Sequence, residues 1–447
     1  MHLYEIPLIF VLIGLVLYVV LAGADFGAGF WQLLAGPHGE RVRNHAHDSI
    51  GPVWEANHVW LIFVLTVTWT AYPTAFGAIA STLCIPLFIA ALGIVMRGAT
   101  YALRAGAQSS RELRPIDLVF ALSSVITPFA LGTVVGAIAA RQVPVGNAAG
   151  ALFGSWTGAT PLIVGALAVA TSAYLAAVFM AADAQRLERA SHDRDDARSL
   201  DERPLIDGLR TRALIAGLIA GAVALAGLFV LHADAHFLYA RLLRGSALAV
   251  VIVSALAGVA TLALVAANRF ELARFSAAAA VAAIVAAWAL AQRPVLLKGL
   301  TVQQAAAPRD TLVLIVVAVL GGALILFPSL ALLFRLVLQG RLDHADGAND
   351  DAAGAAAAAS PVRTRESLDR LIAVSRDGLL ARAAGVCLLA GFGFLTVAES
   401  GWAHAIGVVA LLGFLIVGFL AVVPAQLADF ERDAAVKGDT GAPGTER

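Results

Sequence analysis

Apolar runs of about 17–29 residues, separated by short polar stretches, recur along the whole 447-residue chain. Eleven such runs lie near 6–34, 50–71, 75–96, 116–140, 160–182, 212–232, 245–267, 275–291, 311–334, 380–398 and 404–425. Each is long enough for a membrane-spanning helix. The eighth, alanine-rich and short, is the weakest of the first nine. No segment shows the alternation of a lipid-facing strand, so helices that satisfy their own backbone are expected throughout. The pattern predicts an all-α polytopic bundle: a nine-helix body over 1–342, a linker over 343–379, and a helical hairpin with a tail over 380–447. The linker opens with the acidic stretch Asp343-His-Ala-Asp-Gly-Ala-Asn-Asp-Asp351 and an alanine run, and turns basic at Arg363, Arg365, Arg370 and Arg376.

Composition agrees with the pattern. The chain is 60% hydrophobic and 14% charged, with a mean hydropathy of +0.83, which excludes a soluble enzyme with a large core. Net charge is zero, so nothing points to nucleic acid, and Cys84 and Cys387 form neither a disulfide framework nor a metal motif. The first run is about 29 residues long without a basic region before it, so it is expected to remain as a span.

Charge sets the expected orientation. If all eleven runs cross, loops after odd-numbered runs carry 25 of the 31 lysines and arginines. They include Arg41 and Arg43, Arg97 to Arg114, and the seven arginines from Arg186 to Arg212. The opposite side has Arg141, Arg241, Arg244, Arg293, Lys298 and Arg309. The rich side is then cytoplasmic and the N-terminus outside.

Polar residues inside the apolar runs are few. Glu55, Asn57 and His58 stand at the start of the second run, and helical spacing puts Trp54, Asn57 and Leu61 on one stripe and Glu55, His58 and Ile62 on the next. Gly51-Pro52 suits a helix start, which would place Glu55 about one turn inside. Asp25 lies in Ala22-Gly-Ala-Asp-Phe-Gly-Ala-Gly29, where glycines permit close approach of a neighbour. It is nine residues from the inner end of the first run, roughly 14 Å deep. Intramembrane acids mark functional paths or pair with a cation, and Arg97 is a partner within reach for Asp25 or Glu55. Arg97 and Arg104 close the third run, where arginines also act as snorkelling anchors.

A membrane haem needs axial ligands from within the bilayer, and of ten histidines only His58 lies inside a run. His232 and His236, spaced four apart beside Asp234, read as a solvated helix end rather than a metal site. Met180 has no histidine near it in sequence. The chain by itself is expected to ligate no haem and no metal, and no nucleotide-binding loop is present.

Gly23-Ala-Asp-Phe-Gly27, Ser49-Ile-Gly-Pro-Val-Trp-Glu-Ala-Asn-His-Val-Trp-Leu61, Met96-Arg-Gly-Ala-Thr-Tyr-Ala-Leu-Arg104 and Leu300-Thr-Val-Gln-Gln-Ala-Ala-Ala307 together resemble subunit II of the cytochrome bd-type quinol oxidases. The resemblance covers roughly residues 5–342. It implies a nine-helix subunit paired with a subunit I that carries two b-type haems and one d-type haem. Such a complex oxidises quinol and reduces dioxygen to water with protons from the cytoplasm. It also implies that the acid of the second helix, Glu55, belongs to a proton path, with Asp25 as a deeper acid and Trp54, Asn57, His58, Trp60, Arg97 and Arg104 in support. A small accessory subunit is left open. The family usually shows Trp-Asp-Gly-Asn where this chain has Trp54-Glu-Ala-Asn57, and a bulky residue where Ala24 stands. The 380–425 hairpin lies outside the family body. A proton-coupled secondary transporter or a purely structural assembly subunit would share the helices and acids; the transporter would also show an internal repeat, which is not evident here.

The arginine asymmetry predicts that 184–211, 335–379 and 426–447 face the cytoplasm. With Cys84 and Cys387 replaced by serine, Ser191→Cys and Ser360→Cys chains in intact cells should resist an impermeant thiol reagent until the membrane is opened. Ready labelling from outside would reverse the orientation.

Overall fold

The computed structural model describes residues 2–35, 40–106, 110–192 and 203–338, with scattered residues between 382 and 417. Twelve α-helices run in chain order: α1 Ile6–Leu34, α2 Glu40–Ala71, α3 Pro73–Thr82, α4 Cys84–Gly106, α5 Ser110–Ala139, α6 Ala159–His192, α7 Arg203–Asp234, α8 His236–Leu242, α9 Gly245–Ala266, α10 Phe270–Gln292, α11 Val302–Ala305 and α12 Arg309–Leu338. A short hairpin of β1 Val295–Leu297 and β2 Leu300–Thr301 precedes α11. Among the described residues, eight helices are long and apolar enough to cross a membrane, and Asn57–Ala71 is a shorter apolar stretch of α2. The chain is therefore an all-α polytopic membrane protein, as its pattern predicts.

Several boundaries differ from expectation: α6 runs on to His192 and α7 begins already at Arg203, and two further differences involve prolines. α2 begins at Glu40 rather than at Gly51, running through Pro52. Proline costs a helix one backbone bond, which neighbouring groups within a bundle can make good. Glu55 consequently lies about 22 Å along α2 from its start rather than one turn in. The apolar run 75–96 is broken in two. Pro86 cannot donate a bond to the Thr82 carbonyl, and the chain resets at Leu83 between α3 and α4. The span is then Cys84–Arg104, so Arg97 falls within a membrane helix instead of at its end.

The chain divides into two compact units, Met1–Phe327 and Pro328–Arg447. In the first, α1 lies centrally, packed against α2, α5 and α6. One apolar core joins α1, α6, α7 and α10 through Ala28, Trp31, Leu175, Val178, Leu209 and Ala277. A second sits at one end of the bundle, where Val67, Tyr72, Val143, Leu297 and Leu312 meet. There the Tyr72 hydroxyl donates to the Tyr4 carbonyl at 2.7 Å. Small residues set the helix spacing. Ser254 Oγ donates to the Ala280 carbonyl at 2.7 Å and Ser276 Oγ to the Ala257 carbonyl at 2.9 Å, bridging α9 and α10 in both directions. In the second unit the described residues are helical, and a Cβ at Gly413 would stand 3.5 Å from Cys387 Sγ. The linker assigned to 343–379 lies outside the described residues.

Among the described glycines, the tightest contact is that of α1 on α6. A Cβ at Gly27 would fall 1.9 Å from the Ser172 carbonyl oxygen, a backbone atom that moves only if the helices part. Gly27→Ala should lower stability by about 3 kcal/mol, the upper range for overpacking. Gly258→Ala, with nothing within 4 Å of the added carbon, should be neutral. Thermal unfolding of the two purified variants distinguishes them.

Candidate functional site: a buried polar cluster on α1

Arg97 of α4 is 0% exposed, the largest fully buried side chain among the described residues. Its guanidinium lies 4.2 Å from the Phe120 ring centre and 5.1 Å from that of Phe26. One amino group, Nη2, donates to the Asp25 carbonyl oxygen at 2.9 Å and to Asp25 Oδ1. The other, Nη1, donates to Ser124 Oγ, whose hydroxyl donates onward to the Phe120 carbonyl at 2.6 Å. The glycine at 29 makes this geometry possible: a Cβ there would stand 2.2 Å from Ser124 Oγ and 3.2 Å from Arg97 Nη1. Asp25, 3% exposed, is therefore an ion-paired acid, and Asp25 Oδ2 has no hydrogen-bond partner among the described residues.

Two further residues of α1 share the Asp25 face. Tyr18 and Gln32 stand seven residues to either side, two helical turns each way. Both are buried, and the Tyr18 hydroxyl and both polar atoms of the Gln32 amide are without hydrogen-bond partners among the described residues. A polar stripe thus runs about 21 Å along α1. From α2, Asn57 is 0% exposed and directed at Asp25, with neither amide atom in a hydrogen bond of standard geometry; His58 lies within electrostatic reach of the same carboxylate. Buried polar atoms are nearly always satisfied, so this many in one place needs an explanation. Water molecules with two to four polar partners each are the natural occupants of such a site. The arrangement can hold a fixed charge pair and offer acceptor and donor groups to a hydrogen-bonded chain.

The other residues singled out by sequence sort clearly. Trp60 packs on Tyr18, Ala22 and Phe26, and meets Phe63 edge to face at 6.2 Å. Arg104 stands apart from the cluster, ion-paired with Asp117 of α5. Glu55 and Trp54 are placed in α2 by their backbone, and their side chains fall outside the described residues. His45, outside the apolar runs, is buried on α2, with its Nε2 3.0 Å from the Met180 carbonyl oxygen. That contact is to backbone, so it supplies no paired axial ligands. At the far end of α7, Asp234 Oδ2 accepts from the Thr160 amide at 3.1 Å, while the His232 and His236 rings pack edge to face at 5.3 Å. No group of three metal-competent side chains occurs among the described residues. Tyr18 and Gln32 escape a reading keyed to charges; their signal is the seven-residue spacing around Asp25.

Residues 3–337 match the family model described as cytochrome bd terminal oxidase subunit II. The chain is similar to cytochrome bd ubiquinol oxidase subunit 2 of Bacillus subtilis (strain 168), at 32% identity over 130 residues; that stretch is 29% of this chain and 38% of the relative. It thus spans well under half the length of that curated relative. Among solved structures, the bd oxidase from Geobacillus thermodenitrificans has a chain of like fold, with a TM-score of 0.57 and 23% identity, covering 76% of this chain and 99% of that one.

A buried ion pair is costly to break from one side only, since the remaining charge stays in an apolar interior. Arg97→Gln should destabilise the chain by about 3–5 kcal/mol. Adding Asp25→Asn should restore a large part of that loss. Thermal midpoints of the two single variants and the double variant test the coupling; additive losses would show that the two residues act independently.

Proposed function

The chain belongs to the cytochrome bd terminal oxidase subunit II family, and from that premise we propose that it is the haem-free membrane subunit of a quinol:oxygen oxidoreductase. On this reading it scaffolds a subunit I that holds two b-type haems and one d-type haem, and it supplies part of a proton path from the cytoplasm. When bound to the partner, the haems provide the redox chemistry that takes quinol electrons to dioxygen. The residues of this chain fit that division. His45 is engaged by a backbone carbonyl, and His232 and His236 are exposed at a helix end, so none of them pairs with His58 to clasp a haem.

The observation that carries the proton-path reading is the buried polar cluster. Glu55 stands one turn before His58 on α2 and shares its helical face. His58 and Asn57 lie against Asp25, and Tyr18, Asp25 and Gln32 continue the polar stripe along α1. An acid at the start of such a chain can take a proton from the inner solvent and pass it on. Asp25, fixed by Arg97, acts as a deeper acceptor and positioning group whose Oδ2 remains open to water. Orientation follows the arginine asymmetry, with the N-terminus outside. A scaffold role for the Asp25–Arg97 pair is compatible with this function, because the pair also locks α1 to α4.

Glu55→Gln keeps size and hydrogen bonding but removes the exchangeable proton. In the assembled complex it should slow quinol-driven oxygen consumption by about 100-fold, the low end of what a positioned proton-transfer group contributes. Haem absorbance should stay normal, and Glu55→Asp should keep much of the activity. Wild-type turnover in an assembled Gln variant would leave Glu55 a structural acid and remove the proton path from the function.

A further inference from the structure

At the end of the bundle away from the arginine-rich loops, three residues form a cluster that neither the scaffold nor the proton path uses. Arg141 follows α5 in the left-handed backbone region, with φ at 58°, an uncommon conformation for a side-chain-bearing residue. Its guanidinium carbon lies 3.3 Å from the centre of the Phe237 ring at the start of α8. Arg241, one turn further along α8, places its own guanidinium 5.3 Å from the same ring and donates to the Arg293 carbonyl. Two cations therefore share one aromatic ring.

No carboxylate answers them. Arg141 Nε is buried and without a hydrogen-bond partner among the described residues, and neither arginine is in an ion pair there. The nearby acids are engaged elsewhere: Glu5 with Arg293 at 2.6 Å, and Asp234 with the Thr160 amide. Burial first, and then the facing Arg241, pull Arg141 below the usual arginine pKa. Arginine stays charged in proteins regardless, so the repulsion between the two is not relieved by losing a proton. A bound anion would relieve it. Lys298, bridged by its backbone to Pro144 three residues after Arg141, adds an exposed cation to the same end.

We propose that Arg141 and Arg241, presented on Phe237, form a binding site for a phosphate-bearing anion at the membrane boundary. Guanidinium groups match phosphate oxygens with paired hydrogen bonds, and an arginine already stacked on a ring loses little freedom on binding. The flank of α7 leading to this end exposes Leu225 and Phe229, the latter 78% exposed, an apolar surface on which the chains of a phospholipid can lie. A lipid headgroup and free phosphate present the same chemistry here.

The full-length chain, purified in detergent with the subunits it assembles with, separates these sources by thermal unfolding. Three probes are added in turn: phosphatidylglycerol, monoglucosyl diacylglycerol of the same acyl chains, and inorganic phosphate against chloride at equal ionic strength. Phosphatidylglycerol should raise the unfolding midpoint where the phosphate-free glycolipid does not, and native mass spectrometry should show one phospholipid retained per chain. The Arg141→Gln/Arg241→Gln chain should bind phosphatidylglycerol at least about ten-fold more weakly, the loss of one charge-assisted contact. Arg244→Gln, an exposed arginine off the ring, should bind as wild type. Stabilisation by inorganic phosphate alone, lost in the same double variant, supports the site with a free anion as its occupant. Equal effects of the two lipids together with no effect of phosphate, or a double variant that responds as wild type, overturns the proposal. If the double variant does not fold, the wild-type comparison of the three probes decides by the same criteria.

Discussion

A guanidinium with no exposed surface must be met by a counter-charge, and Arg97 of α4 is met by Asp25 of α1. The pairing dictates its surroundings. A Cβ at residue 29 would run into Ser124 and crowd Arg97 Nη1, so Gly29 keeps room for the bond between them. Nη1 needs an acceptor, which Ser124 of α5 provides, while Nε has no hydrogen-bond partner among the described residues, and the guanidinium's flat faces are covered by Phe26 and Phe120. One interaction thereby fixes α1, α4 and α5 with respect to one another. The glycine at 27 then lets α6 close on the other side of α1 to a backbone–backbone approach. In lipid there is no hydrophobic gain from bringing helices together, so close packing and polar pairing must supply the specificity. The small-residue run around Asp25 serves both.

Much of this was legible in the residue pattern, and what was not has local causes. Among the described residues, the apolar runs before residue 342 correspond to eight helices long and apolar enough to cross a membrane and to the shorter apolar stretch Asn57–Ala71, because hydropathy responds directly to the absence of water. Helix boundaries failed at Pro52 and Pro86, in opposite senses: Pro52 is absorbed inside α2, while Pro86 breaks a run in two. Proline marks a lost backbone bond, and only the neighbours decide whether the loss ends a helix. That second misplacement is why Arg97 read as a helix-end residue although it is the most deeply buried cation described. Asp25 was legible as a costly acid, with Arg97 as one partner within reach. Tyr18 and Gln32 were not, since a phenol and an amide barely disturb an apolar average; the structure shows them by leaving their polar atoms unmatched.

The two ends of the bundle treat arginine differently. At one end Arg186 and Arg274 pair with Glu271, Arg274 faces Asp183, and Arg210 caps α9 through the carbonyls of Val265 and Ala266. These half-exposed contacts are each weak, but they form a network that ties α6, α7, α9 and α10 together. At the other end Arg141 and Arg241 are stacked on a ring with no carboxylate opposite. Sequence counting sees only that the first end has more cations. Geometry adds that Arg186, Arg210 and Arg274 are spent within the chain, while Arg141 and Arg241 at the sparser end face no carboxylate among the described residues.

The same distinction between spent and available charge bears on the two acids. Asp25 has committed one oxygen to Arg97, and its charge is part of what holds α1 against α4. A carboxylate held that way contributes a fixed negative centre and an open lone pair on Oδ2, around which water can be ordered. It is poorly suited to swing or to release its position, because leaving would strand Arg97 in an apolar interior. A conducting acid needs the opposite: freedom to exchange its proton without loosening the helices around it. In the proposed path that acid is Glu55, on α2 ahead of the α1 stripe. The proposed proton path thus assigns order to Asp25, which Arg97 locks within the bundle, and exchange to Glu55.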